Sequence, residues 1–119
     1  MLTGMQHEES AEKIVLSTTL SNTSIGKQNC YKIGNIVHIY ARFEFSGNVS
    51  ISATTDLVSG LPAPKSVANV DNGFGLVTGT AGGSFGSANA YVIGNGLRQS
   101  FSSSFISGDK ICISIDYYI

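Results

Sequence analysis

The sequence predicts an all-β domain, a jelly-roll-like antiparallel β-sandwich of about eight strands. Three observations carry that prediction. The stretch Ile111-Cys112-Ile113-Ser114-Ile115-Asp116-Tyr117-Tyr118-Ile119 places Ile111, Ile113, Ile115, Tyr117 and Ile119 on one face, with Ser114 and Asp116 on the other. Such period-two alternation in β-branched residues marks a half-buried antiparallel strand. Glycine-bearing turns separate further runs of the same kind. No segment offers an equally good helix; only Gln6-His7-Glu8-Glu9-Ser10-Ala11-Glu12-Lys13 is helix-compatible, and it is equally a solvated polar stretch.

Residues 1–12 therefore read as a flexible or linking lead-in, and residues 13–119 as one β-sandwich domain. The first strand is expected over 13–20, with Ile14, Leu16 and Leu20 on one face, and the polar loop 21–26 ends it. The second is expected over 28–33, turning at Gly34-Asn35 into the third and longest, 36–45. Gly-Asn between two β-rich runs is a hairpin signal, because glycine supplies the positive φ of a tight turn. Ser46-Gly47-Asn48 closes the third strand, and a short fourth is expected over 54–59 before Gly60-Leu61-Pro62-Ala63-Pro64. Two prolines forbid regular pairing in a sheet centre there. The fifth strand is expected over 75–80, followed by the glycine loop 79–83. The sixth covers 87–93 and turns at Gly94-Asn95-Gly96 into the seventh, 97–105; Ser107-Gly108-Asp109-Lys110 precedes the closing strand. Val37, Ile39, Phe43, Phe45, Leu97, Phe101, Ile113 and Ile115 are the expected core, with Ala41 and Ala90 making room for the rings opposite.

Composition narrows the partners. Charged residues are 13% of the chain and the formal net charge is −1, so no phosphate-neutralising field exists and nucleic acid is not an expected partner. Ser, Thr, Asn and Gly fill the surface, which suits polar uncharged partners or self-association. No apolar run suits a signal peptide or a membrane span. Cys30 and Cys112 make no disulfide framework; a bridge needs their strands to be neighbours, and two free thiols are the preferred reading.

Catalytic motifs fail on context. Gly82-Gly83-Ser84-Phe85-Gly86 matches G-x-S-x-G, but a strand rather than a helix is expected to follow, and His7 and His38 both lie upstream. It reads as a glycine loop. Gly73-Phe74-Gly75-Leu76-Val77-Thr78-Gly79 lacks both the spacing and the helix of a dinucleotide loop. Asp71-Asn72 reads as an Asx turn rather than a metal site, and no Cys/His cluster has zinc spacing. The acids beyond the lead-in, Glu44, Asp56, Asp71, Asp109 and Asp116, offer no paired carboxylates across a cleft. Asp109 reads as a turn residue. The expectation is a non-enzymatic protein without catalytic residues, metal or cofactor.

Binding is the better candidate activity. His38, Tyr40, Arg42 and Glu44 alternate with core residues of the third strand and project together from its outer face. A ring beside planar hydrogen-bonding groups suits sugars; a solvated or subunit-facing sheet surface is the competing reading. Tyr91 and Arg98 flank the turn at Gly94-Asn95-Gly96 and are the remaining ligand-contact candidates.

Several of these segments resemble one family. Tyr31-Lys32-Ile33-Gly34-Asn35-Ile36-Val37-His38-Ile39 resembles the K-x-G-N-x-V-x-I hairpin of phage tail-fibre and receptor-binding head domains. Gly60-Leu61-Pro62-Ala63-Pro64 is similar to the G-L-P-x-P loop that follows there. Gly94-Asn95-Gly96-Leu97 and the run from Gly108-Asp109-Lys110 through Tyr117 resemble the closing strands. The resemblance spans most of residues 28–119 and implies the C-terminal head of a fibre, baseplate or prophage tail protein. It further implies a homotrimer that recognises bacterial surface polysaccharide, joined to upstream tail or baseplate proteins. The location it implies is the virion, or the bacterial cytoplasm before assembly. Val15, Ile36, Tyr40, Ile93 and Tyr118 remain once one core is filled, and threefold packing would bury them. No collagen repeat, heptad or β-helix shaft precedes the head, which departs from the pattern. The family's receptor contacts do not transfer by motif, so the six candidates stand on position alone.

Overall fold

Alternating apolar residues on ten short runs organise the chain, and in the computed structural model residues 10–65, 75–80, 87–100 and 102–119 are described. The strands are β1 (Glu12–Ile14), β2 (Thr23–Gln28), β3 (Cys30–Ile33), β4 (Ile36–Phe45), β5 (Val49–Ile51), β6 (Gly75–Thr80), β7 (Ser87–Ile93), β8 (Gly96–Gln99), β9 (Ser103–Phe105) and β10 (Lys110–Tyr118). No helix occurs among the described residues. Eight strands form an antiparallel sheet in the order β1-β3-β4-β10-β6-β7-β8, with β2 also pairing β4, and β5 and β9 form a separate two-stranded sheet.

The two longest strands build the centre. β10 runs against β4 from Lys110↔Glu44 to Tyr118↔Ile36 without a break in register. Their inward residues, Val37, Ile39, Ala41, Phe43 and Phe45 with Ile111, Ile113, Ile115 and Tyr117, are all buried. Ala90, Val92 and Leu97 extend that face. It is covered by Val49, Ile51 and Phe105 of the small sheet and by Leu57, Val58 and Leu61 of the chain after β5. The Phe45 and Phe105 rings stack at 4.3 Å and 7°, joining the two layers. An inward side chain at every second position is what makes one sheet face apolar and leaves the other free for function.

Hairpin chemistry explains the turns. Ile33 pairs with Ile36, and Ile93 with Gly96, leaving two-residue loops at Gly34-Asn35 and Gly94-Asn95. Gly34 has φ 56° and Gly94 has φ 58°, while neither asparagine has positive φ. Positive φ at the first central residue alone is the type II′ requirement, and glycine meets it without strain.

Strands 36–45, 75–80 and 87–93 form as expected, and five other assignments change. The expected first strand, 13–20, reduces to Glu12–Ile14. Beyond it, Leu16 N–H donates to Gln28 Oε1 at 2.7 Å and its carbonyl accepts from Gln28 Nε2 at 3.2 Å. A side-chain amide takes the place of a strand ladder.

The expected loop 21–26 is instead largely β2, paired with β4 from Thr23↔Phe45 to Gln28↔Ala41 with an irregularity between Ile25 and Lys27. β2 and β3 share one edge of β4, bridged where Asn29 N–H donates to the Tyr40 carbonyl at 2.9 Å. The long β4 leaves backbone donors and acceptors that must be paired, and this outweighs the turn-like composition of Thr23–Gln28. The expected second strand is accordingly confined to Cys30–Ile33.

The short strand expected over 54–59 is an isolated bridge from Val58 to Leu97, whereas the regular strand lies earlier, at Val49–Ile51. The expected 97–105 strand divides between β8 in the large sheet and β9 in the small one. Buried Leu97 and Gln99 belong to the large sheet and buried Phe105 to the small one, so the two halves of the expected strand serve different layers. Phe101, Asp71, Asn72 and the segment 81–86 lie outside the described residues.

Cys30 and Cys112 are both free. Cys30 is buried on the inner face of β3, while Cys112 pairs with Arg42 on the outer face, and β4 lies between their strands. A bridge is excluded by that placement.

Candidate functional site

The outer face of the large sheet is organised in cross-strand rows. Tyr31 pairs with His38, and His38 pairs with Asp116, so β3, β4 and β10 present Tyr31, His38 and Asp116 side by side. The adjacent outward row is Ile33, Ile36 and Tyr118. These residues and Tyr117 line an open groove of about 600 Å³.

Contacts within the first row are specific. The Tyr31 and His38 rings stack with centroids 4.9 Å apart and an interplanar angle of 29°. His38 Nδ1 lies 2.5 Å from Asp116 Oδ1. An ionised carboxylate only accepts, so Nδ1 carries the donated hydrogen, and this contact holds the imidazole plane against Tyr31. The Asp116 side chain is 67% exposed and the His38 side chain 25%. The second row is more apolar: Ile33, Ile36 and Tyr118 are all exposed. The groove thus offers an aromatic surface, a carboxylate and an apolar lip.

The other candidates lie elsewhere on this face. Tyr40 occupies the next row, opposite Ser114, and its hydroxyl approaches Cys112 Sγ at 3.8 Å. That hydrogen bond is the first cause raising the Tyr40 phenol above its ordinary pKa. Arg42 Nε donates to Glu44 Oε2 at 2.9 Å, so these two satisfy one another farther along β4. Glu44 is roughly 20 Å from His38 along the strand at about 3.3 Å per residue.

Tyr91 and Arg98 pair with each other three and four strand steps from β4, roughly 14 and 19 Å away at about 4.8 Å per step. Both make contacts that tie down a neighbouring segment. The Tyr91 hydroxyl donates to the Ala53 carbonyl at 3.1 Å, and Arg98 Nε donates to Asp56 Oδ1 at 2.8 Å. The Asp56 hydrogen bond is the largest cause raising the Arg98 pKa. Together they fasten the segment after β5 over the β8 edge, where Leu57 N–H donates to Leu97 O at 2.7 Å and Leu97 N–H to Val58 O at 3.0 Å. The Asp56 carboxylate also occupies the space a Cβ on Gly96 would need.

Of the six sequence candidates, then, only His38 lines the groove. Tyr31, Asp116 and Tyr118 were not among them. Tyr31 was within reach, because a two-residue turn at Gly34-Asn35 sets Ile33 against Ile36 and therefore Tyr31 against His38. Asp116 was not, since no local signal specifies which strand lies on the far side of β4. Among the described residues, no three His, Cys, Asp or Glu side chains gather in a way that would hold a metal, and no helix is long and apolar enough to cross a membrane. Comparison with family models, curated proteins and solved structures finds no match for this chain.

Proposed function

We propose that this is a head domain of the phage tail-fibre or baseplate type, a non-enzymatic homotrimer that recognises carbohydrate on the bacterial surface. In this reading the two layers belong to a jelly-roll-like sandwich and the protein acts in the virion. The supporting observation is the Tyr31–His38–Asp116 row: stacked rings beside a partly exposed carboxylate, in a groove of about 600 Å³. Aromatic faces pack on sugar C–H surfaces while a carboxylate accepts hydroxyl hydrogens, so one row supplies both halves of saccharide recognition. The low charge of the chain, 13% of residues, agrees with a partner held by hydrogen bonds and stacking. A glycan array carrying bacterial polysaccharides tests the reading. Binding is expected with the unaltered chain and lost with Tyr31→Ala; no binding to any saccharide would count against it.

A second reading, a structural cap that only trimerises, is favoured by the exposed row Ile33, Ile36 and Tyr118. Neighbouring subunits covering that row would remove apolar surface from water. Light scattering with Ile36→Lys distinguishes the roles. A trimer that dissociates on this substitution assigns the second row to assembly, and retained glycan binding by the monomer assigns the first row to recognition.

A further inference from the structure

We infer that the recognition row continues one strand further, to Lys13, and that this end takes the carboxylate of a uronic-acid residue; this rests on the carbohydrate-binding reading and names its ligand class. Lys13 of β1 pairs with Tyr31, so Lys13, Tyr31, His38 and Asp116 follow one another on neighbouring strands and share the outer face. Tyr31 belongs to both ends. It lines the groove and also a second depression of about 310 Å³, together with Lys13, Gln28 and Asn29.

Lys13 is exposed, and among the described residues no carboxylate pairs with its ammonium group. The other lysine at this edge, Lys32, is paired with Glu12 at 3.4 Å. Asn29 is exposed as well. Its backbone N–H donates to the Tyr40 carbonyl, whereas no hydrogen bond engages its side-chain amide among the described residues. An unused ammonium and amide donor thus stand at one end of the row, and a carboxylate at the other. Lys13 and Asp116 are three strand steps apart, roughly 14 Å at about 4.8 Å per step. At about 0.1 M salt the Debye length is about 10 Å, so Asp116 scarcely opposes an anion held at Lys13. An anion placed over His38 would instead meet Asp116 directly. The row therefore has a direction: an uncharged ring stacks at Tyr31 and His38, and its acidic neighbour in the saccharide chain lies towards Lys13. One ammonium matches one carboxylate, and the Asn29 amide donates to the remaining oxygen.

The test compares uronate-bearing bacterial polysaccharides with the same polymers after carboxyl reduction, which turns each carboxylate into a primary alcohol. Affinities for the full chain are measured at about 0.1 M salt (Debye length as above). The acidic form is expected to bind about threefold to sixfold more tightly, the effect of one screened ion pair at ~4 Å. Lys13→Gln is expected to bring that ratio close to one. Lys27→Gln removes the same charge from an exposed position opposite Arg42, in a different row, and is expected to keep the ratio. Equal affinity for the two forms, a ratio that survives Lys13→Gln, or binding confined to neutral or phosphate-bearing polymers overturns the inference while leaving carbohydrate binding intact. A ratio lost equally in both variants would reflect net charge rather than position, and overturns it too. A blank polysaccharide array removes the underlying reading and this inference with it.

Discussion

His38 and Asp116 stand 78 residues apart in the chain, yet the imidazole Nδ1 and the carboxylate Oδ1 meet at 2.5 Å across the β4–β10 pair. The contact sits on the solvent side of the two central strands, so it orders a surface without supporting the core. Asp116→Ala is accordingly expected to shift unfolding free energy by less than about 1 kcal/mol, as exposed ion pairs do. The same substitution is expected to abolish saccharide binding. Urea unfolding beside a glycan array checks both, and a loss of several kcal/mol would show that the pair is structural.

Phe105 has the opposite role. It is 1% exposed and stacked on Phe45, and the small sheet to which it belongs has only the pairs Val49↔Phe105, Ser50↔Ser104 and Ile51↔Ser103. Truncation leaves a cavity between the layers. Phe105→Ala is expected to cost about 3–5 kcal/mol, measured as a lower urea midpoint with the slope unchanged. A cost below about 1 kcal/mol would mean the second layer contributes little to the fold.

The two thiols should react in a defined order. Burial pushes the Cys30 thiol above its ordinary pKa, outweighing its hydrogen bonds to backbone groups of Tyr40 and Asn29. Cys112 lies on the outer face and is only half-buried. The thiolate is the reactive form, so a thiol reagent should modify Cys112 in the native protein and Cys30 only on unfolding. Native Cys112→Ser is expected to show no fast-reacting thiol; fast labelling of that variant would contradict the inner placement of Cys30.

Alkaline pH is expected to destabilise the fold. Tyr117 is raised well above the ordinary phenol value, chiefly by burial and to a smaller extent by Cys30 nearby. Its hydroxyl donates to the Pro62 carbonyl at 2.7 Å. The unfolded chain releases the Cys30 and Tyr117 protons between about pH 8.5 and about pH 10, while the native state retains them. The unfolded state then binds fewer protons, so stability is fully present below this window and falls as pH rises through it. Urea midpoints from about pH 8 upward should decline, and Tyr117→Phe should flatten the decline. An equal slope in the variant would assign the effect to other groups.

Arg98 and Asp56 close the β8 edge. Asp56→Ala removes the anchor at 2.8 Å and frees the segment that covers the strand. The global cost is expected to be about 1 kcal/mol or less, because both side chains are partly exposed. Local opening should be larger: amide exchange at Leu57 and Leu97 is expected to accelerate, and self-association through the uncovered edge to increase. Unchanged exchange at both amides would show that the backbone bonds hold the segment unaided.

Strands with clean alternation were legible in advance. Ile36–Phe45 appears where period two places it, Gly75–Thr80 and Ser87–Ile93 form over the expected residues, and the alternation in Lys110–Tyr118 correctly sorts Ile113 inward and Asp116 outward. Segments whose backbone is satisfied by distant partners were not. Thr23–Gln28 has the composition of a loop but completes the edge of β4, and residues 16–20 have apolar spacing but no strand to pair with, Gln28 standing in at Leu16. The candidate site divides in the same way. His38 was visible from its own strand; Tyr31, missed, could have been found from the turn, and Arg42, Glu44, Tyr91 and Arg98 find partners that remove them from the groove.

What the chain order of residues determined by itself is the all-β class, the face each residue takes on a regular strand, and the glycine turns at Gly34-Asn35 and Gly94-Asn95-Gly96. These follow from local sterics and a two-residue period, which act over a few positions. Only the tertiary structure decided that β10 lies beside β4, and in which register. That pairing is selected by burial of Val37, Ile39, Phe43, Ile111, Ile113, Ile115 and Tyr117 in one shared core. Because a one-residue slip would turn that entire set to solvent, the core holds the register, and the register alone brings Asp116 to His38.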